Sequence, residues 1–267
     1  MARSVAAFTM VHNESVMLPL WLAHYAREIG ADHLHVLDHG SDTPVRLEQG
    51  HVEPVPRTTL DEIDRAALVA DYQRHLLRHY DDVIFTDCDE FLVARPSLYT
   101  SLVDYAARRT TDIVRCVGAD VLEHPNARPI DWSRPILRQR PYASLRSWSC
   151  KTLLSAEPLN WSPGFHQSTP PGTPDRDLWL FHLKYADLRY VLDRLALTRA
   201  LDWSDRARAL RHGDSHRLPD SAMRAFFREA QRDYRLENLD IFLDQPRGSE
   251  TPDTPLCPIP PEFLDAL

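Results

Sequence analysis

Glycine is scarce in this chain: there are eight in 267 residues and none before Gly30. Folds that cradle phosphates on backbone N–H groups need glycines directly after the first strand. Their absence argues against a dinucleotide-binding dehydrogenase, and against a nucleotidyltransferase built on a Gly-rich phosphate loop. Cysteine is as sparse, and Cys88, Cys116, Cys150 and Cys257 lie far apart with no CxxC pair. That excludes a zinc ribbon and offers no disulfide framework, so reduced thiols in a cytoplasmic protein are expected. No apolar run approaches the roughly 18 residues of a membrane span. The stretch Val5–Val11 is too short for a signal segment with its flanks. Basic clusters are missing too: the formal charge is −8, and the mostly Arg cations are dispersed beside acids in helical stretches. No nucleic-acid partner is expected from such a surface. Peripheral association with the inner face of a membrane is compatible with it.

What is present is the composition of an ordinary globular protein, 43% hydrophobic and 26% charged. The length suits one large α/β domain with a helical appendage. Val5–Val11 predicts a buried strand, and Glu14–Ile29 an amphipathic helix with Leu18, Trp21, Leu22, Tyr25 and Ile29 at helical spacing and Gly30 closing it. Strands follow at His33–Leu37, His51–Arg57 and Val83–Thr86, with a helix over Asp61–Tyr80. This alternation predicts a mostly parallel sheet flanked by helices, with ligands outside the carboxyl ends of the strands. Further on we expect a helix at Leu98–Arg108, a strand at Ile113–Val117, loops through the Pro-rich 124–145 and strands near Trp148–Ser155. Ser162–Pro174 reads as a loop with the composition of a lid, Trp179–Leu183 as a short strand, and Leu188–Leu210 and Asp220–Arg235 as helices. The expected organisation is a main domain over 1–200 and a C-terminal helical extension with a Pro-rich tail over 201–267, packed on the same domain. Phe226, Phe227 and Tyr234 of the last helix are expected to pack on the core.

The most informative run is Val83-Ile84-Phe85-Thr86-Asp87-Cys88-Asp89-Glu90-Phe91-Leu92. A buried strand that ends in three carboxylates needs a cation there, and a hard divalent ion that shares its shell with phosphates is the usual solution. Asp89 is the better candidate for direct metal contact, with Asp87 serving the metal, the nucleoside or a supporting role. Two other strand ends carry compatible chemistry: His12-Asn13-Glu14-Ser15 after the first strand and Asp38-His39-Gly40-Ser41-Asp42 after the second. Each alone reads as a helix cap or a turn. Together they outline a nucleoside pocket.

The segments Phe8-Thr9-Met10-Val11-His12-Asn13-Glu14, Leu37-Asp38-His39-Gly40-Ser41-Asp42 and Asp87-Cys88-Asp89-Glu90-Phe91-Leu92 resemble the family-2-like glycosyltransferases of the GT-A fold. More narrowly they resemble the DUF23-type (family 92) branch with its "KNE", "DNGSxD" and "DxDEF" patterns. The resemblance spans roughly residues 4–200 in order; His12 replaces a common Lys or Arg, and His39 a common Asn. It implies that His12, Asn13, Glu14, Asp38 and Ser41 contact the nucleotide of a nucleotide sugar, with a UDP-sugar the first donor to expect. It also implies Mn²⁺ or Mg²⁺ held by Asp89 with Asp87, and Glu90 supporting the loop or approaching the sugar. The acceptor would be a glycan or glycolipid hydroxyl.

In the second half, His182 ends a short apolar strand and is a candidate third metal ligand, by the same resemblance. His166 sits in the expected loop and is a candidate contact for acceptor or diphosphate. Lys151 and Lys184 stand out because lysines are scarce in this Arg-rich chain, and either could neutralise phosphate charge. An inverting reaction needs a carboxylate to take the acceptor proton. Asp120, Glu123, Asp175 and Asp177 are the candidates, with Asp175 preferred. Alternatives are a nucleotidyltransferase using the same metal–diphosphate site and a non-catalytic module that binds sugar nucleotides.

Overall fold

Val5–Val11 is buried along its whole length and forms β1 of a computed structural model that describes residues 3–232, 235, 239 and 248–267. After α1 (Met17–Ile29) come β2 (Leu34–Asp38), β3 (His51–Pro54), α2 (Glu62–Leu76), β4 (Asp82–Phe85) and β5 (Glu90–Ala94). The chain continues through α3 (Leu102–Arg108), β6 (Ile113–Val121), α4 (Ile136–Gln139), β7 (Tyr142–Leu145) and β8 (Thr152–Ser155). A small hairpin of β9 (Asn160–Trp161) and β10 (Ser168–Thr169) precedes β11 (Thr173–His182). Three helices, α5 (Leu188–Ala200), α6 (Asp205–Ala209) and α7 (Asp220–Ala230), and the short strand β12 (Cys257–Pro258) complete the order.

Ten strands form one sheet in the order β12-β7-β6-β8-β4-β1-β2-β3, with β11 and β5 branching from β6. The result is a mixed α/β architecture with helices against the sheet. β4 joins the other half of the sheet through the antiparallel β8, whereas β1, β2, β3 and β4 run parallel to one another. Their carboxyl ends therefore share one edge, where Val11 pairs with Asp38 and Phe8 with Phe85. In the other half β11 runs parallel to β6 and antiparallel to β5, and one register position sets His182 beside both Asp120 and Glu90. Phe8, Trp21, Phe85, Phe91, Trp179 and Phe181 are core residues, with Phe91 against His24 of α1 and the Phe8–Phe85 pair against Tyr72 of α2. Burial of such side chains is the main stabilising term of the fold.

The elements depart from expectation in several places. The Pro-rich 124–145 holds α4 and β7, because Leu137, Ala143 and Leu145 bury apolar surface that prolines upstream do not interrupt. Glu90–Ala94 is a strand, and β11 begins at Thr173 and so takes in the end of the expected loop. The helix expected over Leu188–Leu210 breaks at Leu201–Ser204, where buried Trp203 packs so close to Gly213 that a Cβ there would lie 2.3 Å from the indole. Ser204 then caps α6 by accepting from the Ala207 N–H. In α7, Phe227 is buried but Phe226 is 38% exposed, against the expectation of core packing; the last part of the expected helix, with Tyr234, lies outside the described residues. The C-terminal segment joins the body through β12 on β7 and through Phe263, whose ring lies 4.9 Å from that of Trp179. Among the described residues no helix is long and apolar enough to cross a membrane.

Candidate active site

The acidic loop after β4 is held from behind by aromatic residues of α1 that keep a polar end. Trp21 Nε1 donates to Thr86 Oγ1 (2.7 Å). Tyr25 OH accepts from the Leu92 N–H (2.9 Å) and donates to the Glu90 carbonyl (3.3 Å). Buried Tyr and Trp bring large apolar area and one directed hydrogen bond each, which suits them to fixing a loop.

In front of that support the three carboxylates have different partners. Asp87 pairs with Arg65, and Lys151 Nζ lies 3.6 Å away. Glu90, 1% exposed, pairs with Lys151, and its second oxygen accepts from the Asp87 N–H. Burial alone would push the Asp87 carboxyl up, but Arg65 and Lys151 outweigh it and hold it below the usual carboxylate range. Asp89 faces His182, with Oδ2 3.6 Å from Nε2. The other ring nitrogen of His182 donates to Asp120 Oδ1 (3.0 Å), which also accepts from Ser149 Oγ (2.9 Å). Burial lowers the His182 pKa, but Asp89 and Asp120 raise it more, to about 10.

The donor set suits a divalent cation at one place. Asp89 and His182 Nε2 converge, and Asp120 fixes the His182 tautomer from behind as carboxylates do for metal-bound histidines. Among the described residues no three His, Cys, Asp or Glu side chains gather into a complete cage. Two protein ligands match an ion that takes the rest of its shell from phosphate and water.

At the ends of β1 and β2 the polar groups are largely spent on one another. Both oxygens of Asp38 are used by its own turn, accepting from Ser41 N–H (3.0 Å) and Val45 N–H (2.9 Å). Asn13 and Asp42 exchange two hydrogen bonds, and Ser41 Oγ accepts from the Asn13 N–H. Glu14 accepts from the first N–H groups at the α1 start, from Tyr190 OH (3.1 Å) and from Arg194 (3.2 Å). Asn13, Asp38 and Ser41 are not among the residues that line the cleft, and the bonds seen for their side chains lie within these loops. They shape the loops, whereas His12, 3.2 Å from Arg57, reaches it.

One cleft of about 460 Å³ gathers the rest. His12, Glu14, Asp87, Asp89 and Glu90 line it from the first half, and Lys151, His166, His182 and Lys184 from the second. The chain has two lysines, and both are here. Lys151 is paired as described, but among the described residues neither Lys184 nor Arg57 forms an ion pair. Burial lowers the pKa of Lys184 despite the opposing pull of Asp89. Lys184, burial and Arg65 together bring the pKa of His216, which also lines the cleft, down to about 3. A half-buried cation with no carboxylate in ion-pair contact offers a place for an anion.

The expected lid is anchored. Phe165 is fully buried against Phe85, with ring centroids 4.6 Å apart, and Arg65 stacks on its other side at 4.8 Å. Gly164 and Phe165 both have positive φ, and this sharp turn sends Phe165 inward while exposed His166 lines the cleft. His166 Nδ1 donates to the Trp148 carbonyl (2.8 Å), because a carbonyl can only accept. Its Nε2 is left as the basic nitrogen.

Asp175 is not part of this site. It sits near the start of β11, seven residues from His182 or roughly 23 Å along an extended strand. There it accepts from Tyr105 OH (2.7 Å) and from the Asp177 N–H. The structure thus places the preferred base candidate away from the cleft; Asp177, 2% exposed, is also outside it, and Asp120 bonds to His182. Sequence reasoning missed Arg57, Arg65, Trp148, Tyr190, Arg194 and His216, which reach the cleft from helices and loops without a motif.

No family model matches the chain, and no curated protein matches it. Among solved structures, TarS of S. aureus is similar with a TM-score of 0.37 and 8% identity over 86% of this chain and 43% of TarS. The mannose-1-phosphate geranyltransferase of Thermus thermophilus gives a TM-score of 0.29 and 9% identity over 96% of this chain and 74% of that one. The chain thus spans less than half the length of TarS. Likenesses this distant carry no inference about activity.

Proposed function

We propose that the chain is a GT-A-type glycosyltransferase, of the hexosyltransferase kind, that moves a sugar from a nucleotide diphosphate sugar to a hydroxyl of a glycan or glycolipid. A UDP-sugar is the first donor to test. The observation that carries this is the convergence, in one cleft at the strand ends, of the Asp89–His182–Asp120 set with two cations that lack a carboxylate partner, Lys184 and Arg57. A cleft of about 460 Å³ has the size of a small-molecule site.

Asp89 and His182 would hold Mn²⁺ or Mg²⁺, which when bound supplies charge stabilisation to the departing diphosphate. Lys184 adds a point charge on the same side. Arg65, Lys151, Asp87 and Glu90 form a neutralised frame that keeps the loop, and with it Asp89, in place. No carboxylate among the described cleft residues is free to act as base: Glu14, Glu62, Asp87 and Glu90 are each paired with a cation, and Asp89 faces His182. His166 fills that role, with Nδ1–H fixed on the Trp148 carbonyl and Nε2 able to take the acceptor proton.

Calorimetric titration with UDP, GDP and CDP, with and without Mn²⁺, tests the donor site. Metal-dependent binding of one of them is expected. In Asp89→Ala, metal-dependent transfer should be abolished while the circular dichroism spectrum is kept; normal turnover by that variant would remove the metal-site assignment. Nucleotide binding with neither donor hydrolysis nor transfer would identify a binding module instead.

A further inference from the structure

Four large hydrophobic side chains are exposed among the described residues, and two of them are aromatic: Trp148 (41%) and Phe226 (38%). Both stand at the cleft. Trp148 lines it, and Phe226 packs on Tyr185, which lines it, with ring centroids 4.9 Å apart. Between them the rings form a continuous row, Trp148 to His182 at 6.4 Å and His182 to Tyr185 at 5.9 Å. The row therefore passes over the imidazole that faces Asp89.

Trp148 is exposed, yet the turn that carries it is clamped on every side. Ser147 N–H donates to Asp253 Oδ1 (2.6 Å), and Ser149 Oγ donates to Asp120, the residue that orients His182. Gly118 of β6 lies so close that a Cβ there would be 2.3 Å from the Ser149 carbonyl carbon, so the turn sits directly on the strand. The Trp148 carbonyl accepts from His166, whose ring meets the indole edge-on at 5.7 Å. An indole kept in solvent by such a frame is preorganised to be covered by a ligand.

We propose that this row is the acceptor subsite and that the acceptor is a glycan, with a terminal pyranose ring lying against the face of Trp148. The proposal rests on the glycosyltransferase assignment of the neighbouring donor half. A pyranose presents a face of polarised C–H bonds, which the electron-rich face of an indole attracts, and a rim of hydroxyls. That rim would meet His166, the one polar group in ring contact with Trp148 other than His182. An acyl chain would need a wholly apolar track, whereas this row includes the polar imidazole of His182 and is bordered by Lys184, whose Nζ stands 5.6 Å over the Tyr185 ring.

Saturation-transfer NMR on the full chain, with methyl glucoside, methyl galactoside and N-acetylglucosamine as probes, tests it directly. At least one probe should receive saturation on its ring C–H protons. The signal should fall about five-fold or more in Trp148→Ala and largely persist in Trp148→Phe. Equal signals from the wild type and Trp148→Ala, or none from any pyranoside with the wild type, would overturn the proposal. So would a blue shift of tryptophan emission on phosphatidylglycerol vesicles that Trp148→Ala loses without any sugar signal, since the row would then be a lipid contact. UDP and Mn²⁺ titrated into the same samples keep the two halves apart. Sugar signal without UDP binding leaves the subsite standing and removes the donor assignment, and UDP binding without sugar signal does the reverse.

Discussion

A histidine is defined by which nitrogen carries its proton, and three of them here, one in the core and two in the cleft, have been given different states by their neighbours. His24 is buried with Nε2 donating to the Leu92 carbonyl and Nδ1 accepting from Arg27, so it is neutral and structural. His182 lies between two carboxylates and holds its proton up to a pKa of about 10 in the absence of metal. In His166 burial comes first and Lys151 second in lowering the pKa, with the bond to Trp148 opposing them. A base must be deprotonated to work, so kcat/KM should rise with pH through a midpoint below the ordinary histidine value of about 6.5 and then level off. His166→Ala should remove that limb and lower turnover by about 10²–10⁴-fold. A pH profile of unchanged shape in the variant would assign the proton transfer elsewhere.

At the scale of elements, α1 and the β6–β11–β5 register do the placing. A slip of one residue in β11 would turn His182 to the opposite face of the sheet, away from the acidic loop and from Asp120. The contribution of α1 can be measured at Tyr25, which is fully buried and is the partner of the Leu92 N–H. Tyr25→Phe leaves that donor unpaired in the core and should destabilise the fold by about 1–3 kcal/mol in urea denaturation. A loss below about 0.5 kcal/mol would mean that another acceptor takes over the Leu92 N–H and that the loop does not depend on the helix for its shape.

For the whole molecule, buried histidines make stability depend on pH in a fixed direction. Burial holds the pKa of His24 at about 3, and burial with His51 brings that of His35 to about 4. In the unfolded chain both titrate near 6.5, so between the two values the unfolded state binds more protons and stability falls as pH falls. Each group withdraws about 1.4 kcal/mol per pH unit at most, beginning near pH 6.5 and ending near its folded pKa. His182 acts in the opposite sense: its raised pKa adds stability that is complete below about 6.5 and lost as pH rises through about 10. Thermal melts of the metal-free protein should therefore show the midpoint dropping below pH 6.5, and His24→Gln should make that drop shallower. A midpoint that is flat from pH 7 to pH 4.5 would contradict the neutral buried histidines.

The order β-α-β-β-α-β and the acidic loop after Val83–Thr86 could be read from the chain, because each is a local pattern: apolar periodicity and a carboxylate cluster at a strand end. The two lysines drew notice by their rarity, whereas His182 entered only through the family resemblance. What the chain could not show was which polar groups spend themselves on one another. Asp38, Ser41 and Asn13 carry the right chemistry at the right strand ends, yet their own turns consume it. Asp175 lies close in sequence to His166 and His182 but at the far end of a ten-residue strand. Arg57, Arg65, Trp148 and His216 enter the cleft from elements distant in sequence, so no spacing announces them. Sequence alone determined the element alternation of the first half and the acidic strand end, since those depend on neighbours along the chain. The tertiary structure decided the partners, since hydrogen bonds and ion pairs are settled by distances that only packing and strand register set.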